Sequence, residues 1–564
     1  MRRVFILILS LAFTTFASWP GGGVKVVQTP ESISNPQMVY INDGSVVISW
    51  EEWGPQIHIY CQKLDTTGVI HWDAEGISVC LSDSNQLDHH MVTDGQDAYF
   101  VWQDERSDDG DIYAQKLSGS TGQRLWGNEG RVVSLQSGEQ GLPLADMLVN
   151  NQLGIIWQDY GPTEPGLDYD ARTQWMNLNG QPSWGANGIS VPRDLTRRGR
   201  QGCFRSGNNI LALFSGRRES DTTAMFAQRI DSEGNFLWDT LGVLIEYATG
   251  FYGVTTDNAG GAIVLFKKGP GPVYVQRVDS LGQIRWQLGG VIVGEQALDL
   301  KTNLQHMYLL DEYTGVSSDT AGGCIVWYGV GGNTLRVQHV DSSGNLLWNS
   351  SGVIYWKEEI ADDPLQPTKL SSDGNEGVLA VFDNMGWESP DWPPPVEQGV
   401  RVQRINADGE IVFDTNGVMV RLWEPEELPE EFLSAASAVP GGIILTWLDN
   451  RYNPNNSLHA QLVDTTGKIG SGIEEEVTSS FKPTLDVITT LSSNLISLRY
   501  SMSRGENGII KLFDVSGSLT RSQKVTRAEG VITWDAASIP SGVYFAQLAT
   551  TNNARVSRKL LILR

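Results

Sequence analysis

Aromatic side chains beside aspartate and arginine can stack on a sugar ring or a peptide and hydrogen-bond to it. Such residues occur here in connections of variable length, where binding sites on rigid scaffolds usually lie. An alternative interpretation is that these rings pack against their own loops and that the Asp–Arg pairs cap local turns. The predicted ligand-binding residues are Trp53, Asp104, Arg106, Tyr160, Trp387, Trp392, Asp449 and Arg451, with no catalytic residue and no metal ligand among them.

One of these connections is rich in carboxylates. Residues 104–105 and 108–111 have the oxygen density of a calcium loop but lack the spacing of an EF-hand. A solvated acidic turn is the favoured interpretation, and calcium is the one ion that the pattern leaves open. His89 and His90, next to Asp88, have no third ligand at a recognisable spacing. We therefore predict no cofactor.

The elements that position these residues form an internal repeat. In seven units an aromatic residue follows a recurring glutamine by ten or eleven positions, and a glycine lies four positions beyond it, as in Gln276, Trp286 and Gly290. A three-point template that recurs over hundreds of residues indicates a repeat architecture. The glutamine recurs in eight places, at spacings of 48 to 65 residues: Gln62, Gln115, Gln174, Gln228, Gln276, Gln338, Gln403 and Gln461.

Each unit contains the pattern of four antiparallel strands. Residues 273–278 alternate in polarity, residues 279–282 form an Asp-to-Gly turn, and a second strand carrying Trp286 is predicted to follow. Upstream of this hairpin a shorter hairpin contains an apolar run that suits a strand buried on both faces. Its last residue is aromatic in every unit: Trp50, Trp102, Trp157, Phe214, Phe266, Trp327, Phe382 and Trp447.

Four strands in roughly 50 residues are typical of a β-propeller blade. The sequence therefore predicts an all-β fold, an eight-bladed β-propeller over residues 18–476, with a seven-bladed ring as the alternative. After Gln461 the last unit has its turn but no tryptophan and no fourth strand. Residues 23–27 resemble the ends of the other units, so we predict that this N-terminal strand completes the last blade and closes the ring.

The chain begins with a secretory signal. Arg2 and Arg3 precede an apolar run at residues 4–9, and Ala17 ends a small-residue cleavage site, so residues 1–17 are predicted to be removed. No other stretch approaches the length of a membrane-spanning helix, and we predict no transmembrane segment. The four cysteines do not form a disulfide framework and are predicted to be buried thiols.

Charge divides the chain into two parts. Residues 1–476 carry 30 basic and 61 acidic side chains, whereas residues 477–564 carry 11 and 5. Nucleic acids and anionic lipids require a basic surface, so the acidic part argues against nucleic acid as a partner.

A different all-β unit replaces the repeat from about residue 477. Residues 512–517, 532–548 and 558–564 resemble the C-terminal sorting domain of type IX secretion cargo, although its Pro-Asn-Pro opening is replaced here by residues 481–484. The resemblance implies a small immunoglobulin-like β-sandwich over residues 477–564. It also implies the type IX secretion machinery as a partner, passage across an outer membrane, and a secreted or cell-surface location.

The repeats themselves resemble those of secreted bacterial proteins of unknown activity, through phrases such as residues 102–117 and 447–451. We predict an exported binding or scaffold protein that recognises a glycan or a protein. The chain has no Gly-Xaa-Ser-Xaa-Gly elbow, phosphate loop or His-Glu-Xaa-Xaa-His motif. The alternative is a secreted carbohydrate-active hydrolase or lyase, because a ring can bring distant carboxylates together at its central channel.

Overall fold

Alternating and continuous apolar runs, separated by turns rich in Gly and Asp, form 39 β-strands among the described residues of this computed structural model. The chain separates into two units, Met1–Ser471 and Gly472–Arg564. The predicted signal peptide, residues 1–17, lies outside the described residues. The structure describes residues 19–20, 22–107, 110–147, 151–161, 170–191, 196–217, 223–248, 250–268, 272–294, 314–330, 334–357, 366–372, 377–383, 399–414, 416–422, 436–452, 455–469, 484–487, 495–502, 507–515, 518–527, 529–536, 539–550 and 555–562.

The first unit consists of four-stranded antiparallel sheets, eight of them within the described residues. The first sheet contains β2 (Ser32–Ile41), β3 (Ser45–Trp53), β4 (Ile57–Asp65) and β5 (Ile77–Ser78). The second contains β6 (Gln86–Thr93), β7 (Ala98–Asp104), β8 (Asp111–Leu117) and β9 (Arg131–Ser134). The third contains β10 (Glu139–Met147), β11 (Leu153–Gly161), β12 (Asp170–Met176) and β13 (Ile189–Ser190). The fourth contains β14 (Thr196–Ser206), β15 (Asn209–Arg217), β16 (Thr223–Ile230) and β17 (Val243–Tyr247).

The remaining sheets of this unit repeat the order. The fifth contains β18 (Gly250–Thr256), β19 (Ala262–Lys267), β20 (Val273–Val278) and β21 (Val291–Gly294). The sixth contains β22 (Thr314–Ser318), β23 (Cys324–Val330), β24 (Thr334–Val340) and β25 (Val353–Lys357). The seventh contains β26 (Gln366–Ser372), β27 (Val378–Asp383), β28 (Gly399–Ile405) and β29 (Val418–Leu422). The eighth contains β30 (Ala436–Val439), β31 (Gly442–Tyr452), β32 (Asn455–Asp464) and β1 (Val24–Thr29).

The first strand of each sheet lies beside the first strand of the next. β2 contacts β6, and the same contact recurs in order through β10, β14, β18, β22, β26 and β30. β30 in turn contacts β2. In the eighth sheet the outer position belongs to β1, whose Val24 lies opposite Ala460 of β32. The described part of this unit is therefore a cyclic, propeller-like arrangement of sheets.

Hydrophobic side chains fill the spaces between neighbouring sheets. Ile48 and Trp50 of the first sheet pack with Leu458 and Ala460 of the eighth, and all four are buried. Seven of the eight aromatic residues that end the second-strand apolar runs are among the largest fully buried side chains, as at Trp102, and Trp327 is partly buried. Burial on both faces explains why these runs are continuously apolar.

The recurring glutamine joins the third strand of a sheet to the segment that follows it. Gln276 Nε2 donates to the carbonyl oxygen of Gln287 at 2.9 Å, and its Oε1 accepts from the amide of Trp286 at 3.3 Å. The prediction that this amide bonds to backbone is confirmed, as a buried amide requires. The same pair of bonds recurs at Gln62, Gln115, Gln174, Gln228, Gln338 and Gln403.

The fourth strand begins later than predicted. After the turn that ends at Gly282, Ile284 makes only an isolated bridge with Val278. Gly289 and Gly290, with φ of 89° and 87°, then redirect the chain before β21. The prediction that a strand carries Trp286 is therefore wrong, because these two left-handed residues separate the tryptophan from the outer strand.

The second unit contains two antiparallel sheets that share one core. Leu498 and Ile532 of the first sheet pack with Leu512 and Leu548 of the second. The first sheet contains β33 (Thr484–Val487), β34 (Leu495–Ser501) and β37 (Glu529–Asp535). The second contains β35 (Gly508–Asp514), β36 (Leu519–Val525), β38 (Gly542–Thr550) and β39 (Arg555–Ile562).

Two further predictions concern the whole chain. Cys61, Cys80, Cys203 and Cys324 are buried and free, which confirms that they are buried thiols. Burial raises the pKa of each thiol above its usual range. Within the described ranges, no helix has the length and apolar character needed to cross a membrane.

Candidate functional site

The second strand of each sheet ends where the first strand begins, because the two are antiparallel. Trp53 at the end of β3 lies opposite Ser32, and Asp104 at the end of β7 lies opposite Gln86. We call this edge of the sheets the loop face. It carries the connections between second and third strands, in which the sequence placed the ligand-binding residues.

Trp53 is exposed on the loop face and held by a hydrogen bond. Its indole is 48% exposed. Its Nε1 donates to Ser34 Oγ at 2.5 Å, and Ser34 Oγ in turn donates to Glu51 Oε2 at 3.4 Å. A half-exposed ring whose polar edge is already fixed presents its face to solvent in one orientation, as a stacking partner requires.

Behind Trp53, a buried polar chain joins the first sheet to the second. His89 Nδ1 lies 3.0 Å from Glu51 Oε1, and His89 Nε2 lies 2.8 Å from Ser49 Oγ. Asn35 Nδ2 also donates to Glu51 Oε1, at 2.8 Å. Burial raises the pKa of Glu51, but the bonds from His89 and Asn35 outweigh it and hold that pKa below its usual value.

The order Ser–His–Glu matches the nucleophile, base and carboxylate of some hydrolases. Ser49 is 0% and His89 is 2% exposed, so neither side chain reaches solvent. This chain of hydrogen-bonded side chains therefore connects the two sheets and orients Trp53. His90 Nδ1 accepts from the amide of Ala145 at 3.2 Å, in the third sheet, so the two histidines do not converge. Among the described residues, no group of three His, Cys, Asp or Glu side chains could hold a metal ion.

The first strands of three successive sheets carry a bulge near the loop face. Asn35, Asp88 and Leu142 have φ of 47°, 51° and 52°, and each lies where the register of its strand shifts. Non-glycine residues rarely adopt this left-handed conformation. The bulge redirects the strand end and brings Asn35 into the chain around Glu51.

Asp104 and Arg106 form a local pair. Arg106 donates from Nε to Asp104 Oδ1 at 2.8 Å and from a terminal nitrogen to Oδ2 at 2.6 Å. Trp102 Nε1 also donates to Oδ2, at 2.8 Å, and the guanidinium lies 4.0 Å from the ring centre of Tyr113. Burial raises the pKa of Asp104, yet these hydrogen bonds and that from Ser84 hold it below the usual value. Asp104 is 0% exposed, so it positions Arg106 and does not itself face a ligand.

Of the other predicted residues, Tyr160 and Asp449 have described side chains. Tyr160 is partly buried in β11. Asp449 is fully buried, with Oδ2 3.9 Å from His459 Nε2. Arg451 lies in β31, and its side chain is outside the described part. Trp387 and Trp392 lie outside the described residues.

A cleft of about 280 Å³ opens on the opposite face of β3 from Trp53. Glu52 lies directly opposite His58, and Trp50 directly opposite Tyr60, so these side chains share one face of the hairpin. Sequence reasoning missed this cleft, although the alternation on both arms of the hairpin was a usable signal. The lining residues are Glu31, Glu52, Gly54, Pro55, Gln56, His58 and Tyr60.

One buried hydroxyl holds the two carboxylate-bearing residues of the cleft. Thr29 Oγ1 donates to Glu52 Oε1 at 2.7 Å and accepts from the amide of Glu31 at 3.2 Å. Burial raises the pKa of Tyr60, and the charges of Glu52 and Glu75 raise it further.

Solved structures to which the chain is similar include a puromycin-hydrolyzing peptidase of Mycobacterium tuberculosis, with 13% identity over 77% of this chain and a TM-score of 0.40. The chain spans 61% of the length of that peptidase. The polysaccharide lyase Uly1 has 10% identity over 67% of this chain and 90% of its own, with a TM-score of 0.39. PorZ, a surface component of the type-IX secretion system of Porphyromonas gingivalis, has 10% identity over 95% of this chain and 82% of its own, with a TM-score of 0.23.

No curated protein sequence matches the chain. The second unit, by contrast, has a family assignment that agrees with the resemblance seen in its sequence. Residues 483–563 match the Secretion system C-terminal sorting domain, which makes the secretion machinery a partner of this segment, and the protein is exported to the cell surface or secreted.

Proposed function

We propose that the protein is an exported binding or scaffold protein whose first unit, residues 18–476, is an eight-bladed β-propeller. Support comes from the cyclic contacts of the first strands and from β1, which pairs with the last repeat. In this proposal residues 1–17 are a signal peptide, and residues 477–564 form an immunoglobulin-like domain recognised by the type IX machinery. The two sheets around one core support that fold for the second unit.

The observation that carries the binding role is the orientation of Trp53. Its ring is half-exposed, and Ser34 fixes its indole nitrogen through a chain that ends in buried Glu51 and His89. An aromatic ring held rigidly loses little conformational entropy when a sugar ring or an apolar peptide side chain stacks on it. The proposed ligand is therefore a glycan or a protein that meets the loop face at Trp53.

The test is a glycan array, a peptide array and a thermal-shift screen on the mature chain, residues 18–564. We expect at least one ligand to bind and to raise the melting temperature, and Trp53→Ala to abolish both effects. Leu288→Ala is the matched control, because Leu288 is 100% exposed but lies in a turn after the third strand. A ligand that binds Trp53→Ala as tightly as the parent protein would contradict the proposal, as would silence on both arrays. The same thermal-shift screen with added calcium tests residues 104–111 separately.

A further inference from the structure

The residues that line the cleft beside β3 favour a positively charged ligand. Of its seven lining residues two are carboxylates, and none of these described residues is Lys or Arg. His58 and Gln56 are the remaining polar side chains with nitrogen. Burial raises the pKa of Tyr60, and the charges of Glu52 and Glu75 raise it further, which agrees with this excess of carboxylates. An anionic ligand would be repelled, whereas a cation would be attracted.

The cleft also has an aromatic lining residue, Tyr60. The Tyr60 ring lies nearly parallel to Trp50, with 6.3 Å between centroids and 17° between planes, and Trp50 is fully buried. Trp50 thus supports the Tyr60 ring, and Tyr60 lines the cleft. A planar cation placed on such a ring gains from the ring quadrupole as well as from nearby carboxylates.

The Glu52 carboxylate and the backbone of Glu31 are also pre-positioned. Thr29, 6% exposed, donates to Glu52 and accepts from the amide of Glu31. Gly54 lies beside Glu31, since a Cβ at that position would be in ordinary contact with Glu31 Cδ at 3.4 Å. Because Thr29 ends β1 and Glu31 leads into β2, the cleft lies where the N-terminal strand of the eighth sheet passes to the first sheet.

We propose that this cleft binds the guanidinium group of an arginine side chain from a polypeptide ligand. A guanidinium is planar, offers five donors and matches carboxylate pairs and aromatic faces together. This inference rests on the proposed binding function, but it uses the face of β3 opposite Trp53, so the two sites can be tested apart.

The experiment is isothermal titration of the mature chain, residues 18–564, with acetyl-arginine methylamide. The probes for comparison are acetyl-citrulline methylamide, which is isosteric and neutral, and glucosamine, which carries an ammonium on a sugar. We expect arginine to bind, citrulline to bind at least about tenfold more weakly, and the affinity for arginine to fall with added salt. Equal binding of citrulline, or binding of glucosamine without arginine, would overturn the proposal.

Variants locate the bound arginine. Glu52→Gln is expected to weaken arginine binding at least about tenfold, and Glu31→Gln, which leaves the bond from Thr29 to Glu52 intact, serves if Glu52→Gln unfolds. Glu233→Gln in an exposed turn is the control and should bind as the parent does. Unchanged binding in both cleft variants would assign the arginine elsewhere. Trp53→Ala should leave arginine binding intact. Failure to find a loop-face ligand would contradict the proposed function alone, and failure to bind arginine would contradict the cleft proposal alone.

Discussion

Trp19 Nε1 donates a hydrogen bond to the carbonyl oxygen of Thr66 at 2.9 Å, across 47 residues of sequence. Four of the repeat tryptophans, Trp126, Trp184, Trp286 and Trp348, make the same bond to the turn of the following sheet, as Trp184 does to the carbonyl of Ser232 at 2.9 Å. Trp19 therefore occupies the place of the tryptophan that the last repeat lacks.

Other contacts of the N-terminal segment follow the same template. Trp19 and Gly23 have the four-residue spacing of the repeat, and Gly23 lies against Trp447, where a Cβ would come within 2.5 Å of the indole ring. Gln461 Nε2 donates to the carbonyl of Pro20 at 3.2 Å, as the other repeat glutamines do within their own units. Two segments far apart in the sequence thus make one repeat.

Trp19→Ala should strongly destabilise the first unit. The side chain is 4% exposed and belongs to the cluster between the first and eighth sheets, so its removal leaves a cavity. We expect the free energy of unfolding to fall by about 3–5 kcal/mol. Urea denaturation of the mature chain measures this, and Trp53→Ala, which truncates an exposed ring, should cost only about 0.5 kcal/mol. Equal losses in the two variants would contradict the assigned role of Trp19.

Gly130→Ala should cost more stability than Gly127→Ala in the same segment. Both glycines have positive φ, 76° and 91°, so both substitutions incur the backbone penalty of about 1–2 kcal/mol. A Cβ at Gly130 would also lie 2.7 Å from the Trp102 ring, whereas at Gly127 nothing lies within 4 Å. We expect the difference in thermal or urea stability to be a further ~1–3 kcal/mol. Similar stabilities would show that the contact with the indole relaxes freely.

The first unit should lose stability in acid partly through Asp104. Because its pKa is lower in the folded protein than its usual value of 3.8, its contribution is present above that value and is lost as pH falls through the folded pKa. Urea unfolding from pH 6 to pH 2 should show a smaller loss for Asp104→Asn than for the parent. At pH 6 the variant should already be destabilised, by about 3 kcal/mol, because Arg106 loses its charged partner. Parallel pH profiles would contradict this role of Asp104.

Arg277 should stabilise the contact between the fifth and sixth sheets. It bonds to the fully buried Asp257 from Nε at 2.9 Å and donates to the carbonyl of Ser342 in the following sheet at 2.9 Å. Arg277→Met should lower the free energy of unfolding by about 3 kcal/mol, because the Asp257 carboxylate remains buried without its partner. Arg285→Met removes a half-exposed arginine 3.6 Å from Asp279 and should change stability by less than about 1 kcal/mol. Calorimetry of both variants measures the two losses of stability, and equal losses would contradict this role of Arg277.

Export should depend on the second unit. A chain that lacks residues 483–563 should remain inside the cell envelope of a host with a type IX system, while the full chain reaches the surface or the medium. Cell fractionation followed by immunodetection measures this. Full-length Trp53→Ala should be exported normally, and export of the truncated chain would show that another segment is sufficient.

The sorting domain and the repeat were accessible from the sequence because their signals are local. The Gln276 bonds, the turn at Gly282 and the buried run that ends at Trp102 all depend on neighbours within about a dozen residues. The candidate site was less accessible. Asp104 and Arg106 were predicted at the loop face, but the burial of Asp104 follows from packing that no spacing records.

The sequence by itself determined the all-β class, the repeating unit and the sorting segment, because strand periodicity and turn chemistry are properties of consecutive residues. Only the tertiary structure decided that Trp19 completes the last repeat and that Glu31 and Glu52 line the same cleft. Trp19 precedes β1 and Glu31 follows it, so both relationships depend on where β1 lies. The position of β1 depends in turn on its pairing with β32, more than 400 residues away. The repeat pattern of residues 23–27 was enough to predict that pairing, but the contacts of Trp19 and Glu31 depend on burial and register in the folded chain.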